Sequence, residues 1–175
     1  MQSKTIFILL TVFALASFAY FTEGQTKKAD DRALPKQLSE NEVQNIIKQT
    51  EPKSHVEVTL KVSDARVVSA IKNVQAGQYQ TAVEDVDVYA SLIVYANDYT
   101  RKLPDAQSKD RSNCLKKIEQ AIFKQLRNLD TVSRDMPFDY REPVMEKISQ
   151  VKKIRLRAVD DLLGGGKFIH SSNEQ

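Results

Sequence analysis

Apolar residues recur at helical spacing in four long segments, and this period limits the fold of the chain more than any other feature. The clearest segment lies between residues 110 and 134, where apolar residues are three or four positions apart. Such a stripe forms one face of an amphipathic helix, and that face must pack against a neighbour. The apolar positions of this segment are Leu115, Ile118, Ile122, Leu126 and Leu129.

Turn-forming residues follow each segment and predict where the helices end. Gly77 follows the first long segment, and Pro104 and Pro137 follow the second and the third. Three glycines at 164–166 follow the fourth segment. They should end its helix, because three consecutive glycines lose too much backbone entropy to stay helical. The predicted long helices span residues 53–76, 78–101 and 139–163, and the third begins between residues 105 and 110 and ends at about 134.

Capping residues predict two of the helix starts. Ser39 and Glu42 have the spacing of a capping box, which would open a short helix that ends before Pro52. Asp139 is a second predicted cap, with Pro143 in the first turn of the fourth long helix.

One segment fits two structures. Residues 55–62 alternate polar and apolar side chains, as a half-buried strand does. The apolar positions Val56, Leu60 and Val67 also share one helical face, and that pattern continues beyond strand length. We favour a helix, since a lone strand would have no partner. The predicted fold is all-α: an antiparallel bundle of about four long helices after a short one, with consecutive helices adjacent.

The N-terminal segment predicts export. Lys4 precedes an apolar run, and Ser17-Phe18-Ala19 places small residues before a cleavage point at Tyr20, with Ala14-Leu15-Ala16 as a second option. We interpret residues 1–19 as a signal peptide of a periplasmic or extracellular protein. The alternative is an uncleaved membrane anchor over residues 5–21. The remaining predicted regions are a polar linker over 20–38, the helical-bundle domain over 39–163 and a flexible tail over 164–175.

Charge and cysteine content exclude some classes of function. The 26 basic and 23 acidic residues leave a net charge of +3, which is too balanced for a protein that mainly binds nucleic acid. Cys114 is the only cysteine, so the chain can form no internal disulfide.

One stretch within residues 53–103 carries a family resemblance. It contains Ala65-Arg66, then Ala76-Gly77-Gln78-Tyr79 at a turn, then Ala82, then Tyr89-Ala90-Ser91-Leu92. This arrangement resembles a tetratricopeptide helical hairpin, and it is similar to uncharacterised helical-hairpin domains of exported bacterial proteins. The resemblance implies a protein-interaction or structural hairpin rather than catalysis.

Few residues are candidates for chemistry. His55 and His170 have no second metal ligand at helical spacing, so we expect no metal site and no cofactor. Cys114 is a candidate reactive thiol, with packing as a small apolar residue the favoured alternative. The acidic residues at 84–87 are more typical of a solvated, ion-paired helix face than of a cation site.

Two groups of residues are candidates for an interaction surface. Tyr95 and Tyr99 can share an outer helix face, although packing against the third or fourth long helix is the favoured alternative. Lys152, Lys153 and Arg157 make the last helix basic. Neighbouring Arg155 falls inside the apolar stripe, where it should extend to solvent or pair with an acid of a facing helix.

These patterns predict a non-enzymatic exported protein with a structural or protein-binding role in the cell envelope. Its expected partner is another envelope protein, and it would contact a membrane only if the N-terminal segment stays uncleaved. The alternative is an envelope protein that binds a small molecule or a metal between its helices.

Overall fold

The computed structural model describes residues 34–164, and every regular element in that range is helical. Residues 55–62 are helical as well, so the helix interpretation of that segment is confirmed. The predicted signal peptide, most of the linker and most of the tail lie outside the described residues. The elements are α1 (Glu40–Ile47), α2 (Pro52–Gln75), α3 (Tyr79–Arg101), a short 3-10 turn (Asp105–Gln107), α4 (Ser108–Asp135) and α5 (Phe138–Leu162).

The capping box at the start of α1 is confirmed. The Glu42 amide donates to the Ser39 hydroxyl, and the Ser39 amide donates to a Glu42 carboxylate oxygen at 2.8 Å. Both backbone donors would otherwise lack a partner at the helix start.

Gly77 ends α2 as predicted. Its φ of +74° lies in the left-handed region, which glycine adopts without the steric cost of a side chain. The amide of Gln78 donates to the carbonyl of Asn73 at 2.8 Å, and the amide of Gly77 donates to the carbonyl of Val74. This pair of bonds is a Schellman motif, and it satisfies carbonyls that the helix leaves open.

The predicted cap at Asp139 is wrong. Pro137 occupies the cap position, and Asp139 lies one residue inside α5. The chain turns at Pro137 itself, because its extended backbone (ψ 154°) redirects the chain immediately after α4. Pro143 consequently falls in the second turn of the helix rather than the first. There it leaves the carbonyl of Asp139 without its usual helical donor.

The four long helices form two hairpins that pack side by side. The helices of each hairpin, α2 with α3 and α4 with α5, are antiparallel. Across the hairpins α2 lies beside α4, and α3 lies beside α5. Glu57 pairs with Lys117, and Asp64 accepts from Gln125, so α2 and α4 run in the same direction. The remaining cross-pairs, Asp87 with Lys147 and Arg101 with Asp161, give the same result for α3 and α5.

One predicted adjacency is wrong. Although α3 and α4 are consecutive, they lie on a diagonal of the bundle and make fewer contacts than the other packed pairs of long helices. The connection over residues 102–107 allows this crossing. It is anchored by the buried side chain of Leu103, whose carbonyl accepts a hydrogen bond from Arg111.

Two apolar clusters stabilise the domain. The larger one fills the space between the four long helices. The smaller one lies outside the first hairpin, where α1 packs its fully buried Ile46 against Val88 and Leu92 of α3. Leu38 belongs to this smaller cluster, so packed structure begins just before the Ser39 cap. Thus α1 covers the outer face of the hairpin formed by α2 and α3.

Candidate functional site

The two candidate tyrosines do not form an exposed surface. Tyr95 is only 7% exposed, and Tyr99 is half-buried. Both contact His55 in the first turns of α2: the Tyr99 ring stacks on the imidazole at 4.2 Å, and the Tyr95 hydroxyl lies 2.9 Å from its Nε2. The reason is the antiparallel hairpin, which places the end of α3 beside the start of α2. The tyrosines are therefore packed, but these contacts are with the first long helix, whereas the prediction named the third or fourth.

His55 has hydrogen-bonding partners at both ring nitrogens. Nδ1 lies 3.3 Å from the Gln49 carbonyl oxygen, and Nε2 faces the Tyr95 hydroxyl. Because a carbonyl only accepts, the geometry favours a proton on Nδ1, with Nε2 accepting from the phenol. The imidazole therefore links the turn before α2 to α3 through one hydrogen bond to each. Its surroundings are typical of a packed, structural histidine.

Cys114 is fully buried near the start of α4. Burial, together with the negative charge of Asp110, raises the pKa of its thiol to about 11, although a hydrogen bond with Thr100 opposes this shift. A nucleophilic cysteine needs an accessible thiolate at neutral pH. The surroundings of Cys114 instead keep the thiol protonated and shielded, so they fit packing better than reactivity.

The three candidate basic residues of α5 are all exposed, but they do not form one patch. Lys152 faces α4, where its ammonium lies 3.6 Å from Asp130. Arg157 lies on the opposite side, in a charged hollow with Asp98 of α3. Lys153 is one residue from Lys152, and consecutive helical residues point about 100° apart. The basic composition of α5 is therefore divided between two faces.

Arg155 pairs with an acid of the facing helix, which is one of the two arrangements expected from its place in the apolar stripe. Its Nε lies 2.8 Å from Glu119 of α4, and its guanidinium lies over the ring of Phe123 at 4.7 Å. Phe123 itself is 64% exposed. The Arg155 guanidinium thus holds an exposed aromatic ring on this side of the bundle, which is a candidate for binding.

The outer face of α4 and α5 is a shallow, open groove lined mostly by basic and polar side chains, with a few apolar ones among them. A hollow of about 690 Å³ lies beside Phe123 and Leu126, and a second of about 470 Å³ lies over Ile148. Asp130 and Arg134 line both hollows, so the two are neighbours. We call this surface the α4–α5 face. The exposed side chains that line it include Phe123, Arg127, Arg134, Met145 and Lys152, and Leu156 lies one helical turn beyond Lys152.

The α4–α5 face differs from the corresponding face of the first hairpin. There α1 covers Val88 and Leu92 with Ile46, so those side chains are buried. On the α4–α5 face, Met145 is 55% exposed and Leu156 is 63% exposed. No described helix covers them. Exposed apolar side chains collected on one face, with a polar rim, are typical of an interaction surface.

Among the acidic residues of α3, Glu84 is exposed and Asp87 is ion-paired with Lys147. Only Asp85 departs from the predicted solvated face. Asp85 is buried, accepts a hydrogen bond from Asn73 at 2.8 Å and lies 3.9 Å from Arg66. Arg66 also binds both carboxylate oxygens of Glu42 at 2.7 Å, which links α1 to α2. Burial alone would raise the pKa of Glu42, but hydrogen bonds from Ser39 and the charge of Arg66 hold it below its usual value. Among the described residues there is no cluster of three metal-ligating side chains.

A small polar group lies inside the core. Gln125 of α4 donates to Asp64 of α2 at 3.1 Å, and its own carbonyl oxygen is buried without a described partner. The Tyr89 hydroxyl is also buried and unpaired within the described structure. Burial and the nearby negative charge of Asp64 raise the pKa of this phenol well above its usual value.

Sequence reasoning missed Phe123 and the rest of the α4–α5 face. One signal was available: Phe123 follows the buried stripe residue Ile122 and precedes Lys124, so it lies off the apolar stripe. A large aromatic residue on the polar side of an amphipathic helix is a candidate for binding. The groove also depends on Met145 and Leu156 of α5, whose alignment with Phe123 requires the hairpin register.

Comparison of the chain with models of known protein families, with curated proteins and with solved structures found no match. The tetratricopeptide likeness of residues 53–103 therefore stays a resemblance. Within residues 34–164, no helix combines the length and the hydropathy that crossing a bilayer requires.

Proposed function

We propose that this protein is exported and has a non-catalytic, protein-binding or structural role in the cell envelope, with the α4–α5 face as its contact surface. The observation that carries the proposal is that three apolar side chains of α4 and α5, those of Phe123, Met145 and Leu156, are more than half exposed. The same face of the first hairpin needs α1 as a cover, which supports the view that the α4–α5 face is covered by a partner.

The non-catalytic part of the proposal is supported by the state of the candidate reactive groups. The Cys114 thiol is buried with a raised pKa, and both nitrogens of His55 are occupied in hydrogen bonds within the fold. A panel of hydrolase substrates tests this part. Turnover by purified protein that one point substitution abolishes would overturn it.

Export is supported by the sequence of residues 1–19. Fractionation of cells that produce the tagged protein should place it outside the cytoplasm, and sequencing of its N-terminus should find Tyr20 first. An intact N-terminus in the membrane fraction would instead support the anchor over residues 5–21. Accumulation of the intact chain in the cytoplasm would contradict export.

Photo-crosslinking tests the contact surface. A photoreactive phenylalanine analogue in place of Phe123 should crosslink to one dominant partner in intact cells. The same analogue at Lys72, an exposed position on α2, is the matched control and should give no such product. Equal crosslinking patterns at the two positions would contradict a role for the α4–α5 face.

The small-molecule alternative has one observation in its favour. The Tyr89 hydroxyl and the Gln125 carbonyl oxygen are buried without described partners, and a ligand or a water between the helices would satisfy them. A thermal-shift screen separates the alternatives. A rise of several degrees with one metabolite or metal, lost in Gln125→Leu, would favour the ligand-binding function.

A further inference from the structure

We propose that the partner of the α4–α5 face is an acidic amphipathic helix whose apolar stripe fills the groove between α4 and α5. This inference rests on the proposed protein-binding function and adds the chemistry of the partner. Its basis is the shape of the groove and the sign of the charges on its rim.

The groove has the dimensions of a helix-binding site. Its two neighbouring hollows are lined by α4 residues between Phe123 and Arg134. Eleven residues of α-helix cover about 17 Å, so a partner helix of roughly three turns spans the groove. Half-buried Leu126 and exposed Met145 are apolar residues of the lining, against which side chains spaced three and four residues apart would pack.

The rim of the groove is positive and partly unpaired. Lys124 and Arg127 are exposed and have no ion-pair partner among the described residues. Arg134 is 74% exposed and makes only a loose contact, 3.5 Å, with neighbouring Asp135. The carboxylate of Asp130 is the exception, and Lys152 lies beside it. A partner with Glu or Asp on the flanks of its apolar stripe would complement these cations.

The concave shape favours a helix over a lipid surface. A bilayer is broad and flat, so apolar anchors that insert into it must project from the protein. Phe123 and Met145 do project, but the two hollows beside them are recesses that a row of side chains can fill and a flat surface leaves empty. The groove therefore fits a narrow apolar ridge.

Binding of synthetic peptides to the protein, purified in the form that cells produce, tests the inference. The probe is an 18-residue amphipathic helix with leucine along one stripe and glutamate on both flanks. The control peptide replaces each glutamate with lysine. Fluorescence anisotropy should show the acidic peptide binding at least tenfold more tightly than the basic one, and 0.5 M salt should weaken that binding because it screens exposed charges.

Charge-reversal variants locate the binding site. The double substitution K124E/R127E should weaken binding of the acidic peptide at least tenfold. The double substitution K61E/K72E reverses two exposed lysines of α2 and should leave binding unchanged. Phe123→Ser should also weaken binding without a change in helical circular dichroism, since its side chain is mostly in water.

Three outcomes would overturn the inference: equal binding of both peptides, no effect of K124E/R127E, or no peptide binding. A fourth outcome comes from sedimentation of the protein with phosphatidylglycerol vesicles. If the wild type sediments with vesicles, K124E/R127E does not, and neither peptide binds, a lipid surface is the ligand. Crosslinking at Phe123 in cells without binding of the acidic peptide would leave the proposed function in place and reject the acidic helix. Peptide binding without crosslinking would reject the proposed function instead.

Discussion

Single buried groups determine how this fold responds to substitution and pH. Tyr89 shows this most simply, because its ring belongs to the main core while its hydroxyl lacks a described partner. A buried, unsatisfied polar atom costs about 1–3 kcal/mol of desolvation free energy. The stability of the domain is therefore lower than its apolar packing alone would give.

We expect Tyr89→Phe to raise the free energy of unfolding by about 1 kcal/mol, because it keeps the ring and removes the unpaired hydroxyl. Urea denaturation at neutral pH measures this. Tyr79→Phe is the matched control and should change little, since that side chain is half-exposed at the start of α3. A clear loss of stability in Tyr89→Phe would show that the hydroxyl is hydrogen-bonded.

Cys114 predicts a response to alkaline pH. Burial raises the pKa of its thiol from 9.0 to about 11, so the folded state keeps this proton after the unfolded state has released it. The resulting stability is complete below pH 9 and is lost as pH rises through about 11. Urea midpoints should fall over this range, and they should fall less steeply in Cys114→Ala.

Thiol labelling gives an independent measurement of the same site. At pH 7.5 a maleimide should modify Cys114 slowly in the native protein and rapidly in urea, because folding shields the sulfur and keeps it protonated. Rapid modification of the native protein would contradict a buried structural thiol and would return Cys114 to the list of reactive groups.

At the scale of single elements, α1 is the helix that depends most on packing. It has only eight residues, and isolated helices of this length are marginal in water. Its attachment depends on Ile46, on the capping box and on the ion pair between Glu42 and Arg66. α1 should therefore open before the four long helices do.

Neighbouring isoleucines provide a matched test of this attachment. Ile46 is fully buried, whereas Ile47 is 52% exposed. Ile46→Ala should cost about 2–4 kcal/mol in the attachment of α1, and Ile47→Ala should cost little. Hydrogen exchange should show fast exchange in α1 of Ile46→Ala while α2 to α5 stay protected. Equal exchange in the two variants would contradict this account of α1.

The helices themselves could be predicted from local sequence signals. The start of α1 follows from Ser39 and Glu42, and the end of α2 follows from Gly77, because each signal acts within a few residues. Asp139 failed as a cap because Pro137 had already turned the chain. Local rules compete with one another at a tight turn, and the sequence alone did not indicate which would prevail.

At the scale of the whole bundle, the arrangement of the hairpins exceeds what helical periodicity can predict. Apolar stripes show that each helix has a buried face, but they do not show which helix lies against it. The diagonal placement of α3 and α4 depends on the anchored connection around Leu103. The α4–α5 face depends in turn on hairpin register. The division of Lys152, Lys153 and Arg157 between two sides follows instead from their spacing on one helix.

We propose that a partner in the cell envelope covers the α4–α5 face. Because Cys114 is the only cysteine, Cys114→Ser provides a background in which Phe123→Cys can be labelled alone. A maleimide that reaches the envelope should label this cysteine slowly in intact cells and rapidly in purified protein. Lys72→Cys in the same background should be labelled at similar rates in both. Equally rapid labelling of Phe123→Cys in cells and in purified protein would contradict the account.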